Sequence, residues 1–216
     1  MVAAIVAVVV LAQVFGPAIA ARVVKGQVGK YGTVRSVSVK AWPAIELLWR
    51  KADEVRVQAG DLRLSSGQAV GLLEEGSGTA KVEARAEAIE VDGVRLKDTT
   101  FIKDGNRVRA QGTMSAADIA RALPPGVRVT LESSGEGQVR VRASGGLFGV
   151  SASIEAVAYA SDGELVASPV AFGLSALKLT LLDNAKVYVE GVHARELAPG
   201  PGGEARYELS MWGSLR

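Results

Sequence analysis

Between Val127 and Ala156 apolar residues fall on alternate positions three times in succession. Val127, Val129 and Leu131 alternate with Arg128, Thr130 and Glu132. Val139, Val141 and Ala143 alternate with Gln138, Arg140 and Arg142, and Phe148, Val150, Ala152, Ile154 and Ala156 mainly with Ser151, Ser153 and Glu155. A period of two puts one set of side chains on each face of a strand. Turn residues at Ser133–Gly137 and Gly145-Gly146 make the three segments an antiparallel meander, apolar on one side and wet on the other. A sheet of this kind folds only if another layer covers its apolar side.

The same alternation recurs around a second landmark. Val37, Val39 and Ala41 form one face of a strand that ends at Trp42-Pro43, because proline cannot donate to a ladder but suits the first turn of a helix. Ala44–Lys51 then reads as a short helix carrying Ile45, Leu47, Leu48 and Trp49. Val55, Val57 and Ala59 return as strand, and the apolar phase moves to Leu62 and Leu64, so Gly60-Asp61 is a turn or a bulge. Ser65–Gly78 is turn-rich, with one helical turn at Ala69–Leu73. In Ala80–Ile89 a helix would stack like charges, Lys81 over Arg85 and Glu83 over Glu87. The strand reading instead sends Ala80, Val82, Ala84, Ala86 and Ala88 to one face and every charge to the other. A face of alanines fills little volume, so a bulky neighbour or a ligand must fill the rest.

Further along, Asp104-Gly105 and Asp162-Gly163 are hairpin signals. Ser115–Asp118 opens a small helix with Ile119, Ala120 and Leu123 on its apolar side, stopped by Pro124-Pro125. Leu174–Leu182 is helix or strand, and Val187–Val192 and Tyr207–Met211 close the chain as strands. About nine or ten strands and two or three short helices define an α+β fold with a mainly antiparallel sheet.

The N-terminus differs from all of this. Met1–Ala21 has no charged side chain, and as a helix it would span about 31 Å, enough to cross a hydrocarbon core. Ala18-Ile19-Ala20 fits the small-x-small pattern of a signal-peptidase site. The expectation is a signal peptide or membrane anchor over 1–21, a Gly-rich linker or irregular first strand over 22–33, and a folded domain over 34–216. That places the protein outside the cytoplasm, secreted into the cell envelope or anchored there.

Catalytic constellations are hard to assemble from these residues. There is no cysteine and one histidine, His193, which argues against the common zinc sites and a Ser-His-Asp triad. GPGGEAR lacks both the lysine and the following helix of a phosphate loop. A net charge of +2 gives no footprint for nucleic acid. Arg107, Arg109, Arg128, Arg140 and Arg142 form either a basic stripe suited to anionic headgroups or the ordinary polar side of a sheet interspersed with Glu132, Glu136 and Glu155. The apolar inventory allows two interiors, one filled by Trp42, Trp49 and Phe148, and one left open as a tube.

The order of these features resembles the actinobacterial LmeA-like phospholipid-binding proteins. The matching stretches are VRSVSVKAWPAIELLWRKADEVRVQAGDL, then GTMSAADIARALPP, then SDGELVASPV, behind a hydrophobic N-terminal segment. The resemblance covers Arg35–Val170 and extends loosely beyond it. It implies a tubular lipid-binding-like fold: an N-terminal hydrophobic helix, then a curved, mainly antiparallel sheet wrapped around one or two short helices. It also implies non-enzymatic binding of phospholipid acyl chains, with transfer as its extension, with no cofactor or metal and with a membrane surface as partner. The residues expected to line the groove are Trp42, Ile45, Leu48 and Trp49 of the Trp-Pro helix, Val55, Val57 and Val82 of the adjoining strands, and Ile119, Leu123, Phe148, Val150 and Ile154. The alternative is a structural envelope domain with a filled core and no ligand.

Overall fold

The structure, a computed structural model, describes residues 17–41, 52–123, 125–147, 150–170, 178–183 and 185–216. The expected Trp-Pro helix, Phe148 and residues 174–177 lie outside these residues, as does the side chain of Val150. The chain divides into two compact units. The first runs to Asp92 and adds Asp98–Gly105; the second takes Gly93–Lys97 and Asn106–Arg216.

The described part of the first unit comprises helix α1 (residues 17–29), strand β1 (Gly32–Lys40), β2 (Ala52–Leu64), helix α2 (Ser66–Glu75) and β3 (Thr79–Val91), with part of β4 (Val94–Asp104). Strand order is β1-β2-β3-β4. β1 and β2 are antiparallel, whereas β2 and β3 are parallel, joined by the α2 crossover that parallel pairing requires. Register shifts at Gly32/Val34 and Val34/Ser36 identify the Gly60-Asp61 phase change as an irregularity within one strand, not a turn. Gly32, at φ 154°, is where α1 turns into the sheet. A Cβ there would lie 2.0 Å from the Asp61 carbonyl oxygen, so only glycine fits.

Two expectations are corrected here. Residues 22–29, expected as linker or irregular strand, are helical. Ser65–Gly78 contains a ten-residue helix, not one turn. Its start is fixed by a capping box: the Ser65 hydroxyl accepts from the Gln68 N–H at 3.2 Å and the Gln68 side chain accepts from the Ser65 N–H at 2.7 Å.

The second unit holds β5 (Arg107–Ser115), α3 (Ala116–Ala122), β6 (Val127–Gly135), β7 (Gln138–Leu147), β8 (Val150–Ser161), β9 (Glu164–Pro169), β10 (Leu179–Leu182), β11 (Val187–Leu197) and β12 (Arg206–Leu215). The expected meander is a five-stranded antiparallel sheet in the order β10-β9-β8-β7-β6. A second layer has the order β4-β5-β12-β11. The two meet where Val139 packs with Val192 and Ala194, flanked by Leu131, Val141, Leu165, Leu209 and Met211. The covering layer demanded by the meander is thus another sheet, supplied from the end of the chain. The turns Glu136-Gly137 and Asp162-Gly163 both have φ above zero at both residues, the type I′ geometry that matches strand twist.

The arginines do not form one stripe. Arg107 and Arg109 lie on β5, while Arg128, Arg140 and Arg142 lie on β6 and β7. Arg142 pairs with Glu132 at 3.0 Å and Glu155 at 2.9 Å, and Arg140 reaches Glu155 at 3.6 Å, so this face is the ordinary polar side of a sheet.

Candidate functional site

The site residues foreseen from sequence fall into separate groups. Val55 and Val57 are buried on β2, with Val82 half-buried opposite Val55 on β3. In the second unit, Ile119 and Leu123 are half-buried on α3 and at its C-cap, and Ile154 on β8 is 37% exposed.

The first group belongs to a well-defined apolar face. Val39, Val55 and Val57 form one buried cluster, with Val37, Ala52 and Ala84 against it. Ala59, Leu62 and Ala86 form a second, with Ile89 against it. Cross-strand register explains the grouping, because Val39 faces Val55, Val55 faces Val82, Val57 faces Ala84 and Ala59 faces Ala86. The opposite face of these strands is a ladder of ion pairs. Lys40 and Arg56 meet Glu54 at 3.1 and 2.6 Å, Arg56 reaches Glu83 at 3.6 Å, and Arg85 meets Glu83 at 2.7 Å. Arg35 pairs with Glu87 at 2.5 Å. The hydrogen bond from Lys40 holds the Glu54 carboxyl below its usual range. Exposed pairs of this kind add little stability one by one. They do keep that face hydrated, so apolar material can be accepted on the other face alone.

The covering residues were missed from sequence. α1 lays Ala20, Ala21, Val24 and Val28 against the Val39–Val55–Val57 cluster, and Val28 also touches Ala59, Leu62 and Ala86. Ala84 and Ala86 of β3 belong to these two clusters, so α1 packs over small side chains there. The available signal was the spacing of Ala20, Val24 and Val28 at four-residue intervals, which is one helical stripe. No described helix is long and apolar enough to cross a membrane.

Two buried ionisable groups complete the inventory. Lys103 on β4 is 3% exposed and donates to the Ser77 carbonyl at 3.3 Å and to the Thr79 carbonyl. Burial pulls its pKa down, against a smaller opposing effect of Asp104. Asp118 is 1% exposed and caps α3: burial raises its pKa, but hydrogen bonds from the Ser115 hydroxyl and N–H, and the charges of Lys97 and Arg121, outweigh that and hold it below the ordinary value. Both have structural partners: Lys103 is held by backbone carbonyls, and the Ser115 hydroxyl that meets Asp118 is engaged in the capping box of α3. His193 is exposed; its Nδ1 lies 3.0 Å from the Ser134 hydroxyl, whose oxygen also accepts from the Ala194 N–H at 2.9 Å. Among the described residues there is no cluster of three or more His, Asp or Glu able to hold a metal.

Residues 6–208 match the family described as LmeA-like phospholipid-binding, and the chain therefore belongs to that family. Lipid binding in general is the function that membership supports. No curated protein matches the chain. Among solved structures the chain is similar to the Zhui aromatase/cyclase from Streptomyces sp. R1128, at 13% identity over 51% of this chain and 69% of that one. The TM-score of 0.20 is too low for that likeness to carry an argument about fold or activity.

Proposed function

We infer that the protein binds phospholipid acyl chains in the cell envelope, without catalysing a reaction on them, and that the apolar face of β1, β2 and β3 receives a chain. The observation that carries this reading is the two-faced sheet. Val39, Val55, Val57, Ala59, Ala84 and Ala86 line one side, and the ion-pair ladder closes the other to lipid. The length suits the ligand. Val55 to Leu62 is seven residues along β2, about 23 Å at ~3.3 Å each, against about 15 Å for one leaflet's share of a ~30 Å hydrocarbon core. The energetics ask for near-complete enclosure: burial contributes ~0.8 kcal/mol per CH₂, about 12 kcal/mol for a sixteen-carbon chain, and association costs about 4–15 kcal/mol. Export is supported by the uncharged stretch to Ala21.

The filled-core alternative draws on one specific observation, the packing of α1 over this same face. Native mass spectrometry of protein purified from membranes, followed by lipid extraction, separates the two. Co-purified phospholipid is expected. Ligand-free protein that also takes up no fluorescent phospholipid would overturn the lipid reading.

A further inference from the structure

The helix that covers the apolar face is unlike the face itself. Val39, Val55, Val57, Ala59 and Ala86 are buried, yet no residue of 17–29 is. The contacts that seat α1 on the sheet are those of small side chains, Ala20, Ala21, Val24 and Val28. Its outer side carries Ile19 and Val23, 60% and 59% exposed, beside the exposed basic residues Arg22 and Lys25. Lying on a sheet, such a helix leaves its outward apolar side chains in water; in an anionic lipid interface those side chains are covered and the cations meet headgroups. Gly26 and Gly29 weaken the helix near its junction with β1, and a Cβ at either would meet nothing within 4 Å.

We propose that α1 is a displaceable cover: it occupies the acyl-chain face of β1–β3 in the lipid-free protein and moves to a lipid surface when a phospholipid chain takes its place. This rests on the reading of that face as the lipid site. It explains why a face built from valine and alanine is roofed by residues that bury themselves so poorly. It also explains why the outward side of the roof exposes Ile19 and Val23 beside Arg22 and Lys25.

The absence of native cysteine gives a clean test on the full chain. Val28→Cys with Ala59→Cys places one thiol on the cover and one on the face. Uptake of a fluorescent phosphatidylglycerol from phosphatidylglycerol–phosphatidylcholine vesicles is then compared in the reduced and disulfide-bridged forms. A bridge removes the open state, so uptake should fall at least about ten-fold and return on reduction. Equal uptake in both forms overturns the cover and leaves the lipid reading standing. No uptake by the unsubstituted protein overturns both. If the first pair impairs uptake even when reduced, Ala21→Cys with Ala84→Cys, both packed on the Val39–Val55–Val57 cluster, makes the same comparison at the other end of the face.

Discussion

The two units bury apolar surface by different means. In the second, strands cover strands: Val139 of β7 packs with Val192 and Ala194 of β11, and five further apolar residues close around them. In the first, strands are covered by a helix that contributes two alanines and two valines, none of them buried. Ladder hydrogen bonds hold the strands of each layer in register, and the buried Val139, Val192 and Ala194 hold the two layers together. α1 is tied to its sheet by shallow apolar contact and by one short turn. The difference teaches that burial of a face says little about how firmly its cover is held. The sandwich has the character of a permanent core, and the helix-covered face is the one proposed above to receive a lipid chain.

The largest effect that sharpens this contrast comes from matched truncations. Val192→Ala removes two buried methyl groups from the sandwich and leaves a cavity, which should cost about 2 kcal/mol. Val24→Ala removes the same atoms from a half-buried position and should cost less than about 1 kcal/mol. Urea unfolding with unchanged m-values measures both. Equal losses would break the comparison and make α1 a core element.

A second contrast lies in pH. The carboxyl of Asp118, in the second unit, sits below its ordinary value because hydrogen bonds from Ser115 and the charges of Lys97 and Arg121 outweigh the effect of burial. Its contribution is therefore complete above the unfolded value of about 3.9 and is lost as pH falls through the lower folded value. The amine of Lys103, in the first unit, is depressed by burial, so the unfolded chain holds that proton more tightly. Stability should rise as pH climbs from the folded value towards about 10.4. Denaturation midpoints across pH should lose their acid limb in Asp118→Asn and their alkaline rise in Lys103→Met. An acid limb that survives the asparagine would assign it to other carboxylates.

Much of the fold was readable because period-two alternation is a local property. β6, β7 and β8 follow from it directly, and β3 followed once like charges at i,i+4 ruled against helix. The capping box at Ser115 and Asp118 was equally local, and the structure has it. The matching box at Ser65 and Gln68 was legible in the same way, but glycines at 67, 71, 76 and 78 drew attention to turns instead. α1 was lost for a different reason. A boundary drawn where charge begins, between Ala21 and Arg22, cuts the stripe of Ala20, Ala21, Val24 and Val28 in two. The pairing of β12 with β5, and the parallel pairing of β2 with β3, depend on contacts distant in sequence, and no local pattern encodes them. For the candidate site, the apolar phase of Val55, Val57 and Val82 was legible, whereas the identity of what lies over it was not.

The smallest effect tests whether strand register is what holds the sandwich. Asp162 and Glu136 occupy the same place in their hairpins, ahead of Gly163 and Gly137, with φ of 55° and 52°. Aspartate tolerates this left-handed conformation, since its short side chain can bond locally, whereas glutamate has no such advantage. Glu136 is exposed, so replacing it leaves the core untouched. Glu136→Asn supplies the residue that type I′ turns prefer and should raise stability by about 0.5 kcal/mol, read as a higher urea midpoint at constant m. The gain depends on the β6–β7 register being part of the cooperative structure, because Val139, two residues after the turn, is the centre of the sandwich core. An unchanged midpoint would mean that this hairpin opens before the sandwich does, and the contrast between a permanent core and a removable cover would then lose its firmer half.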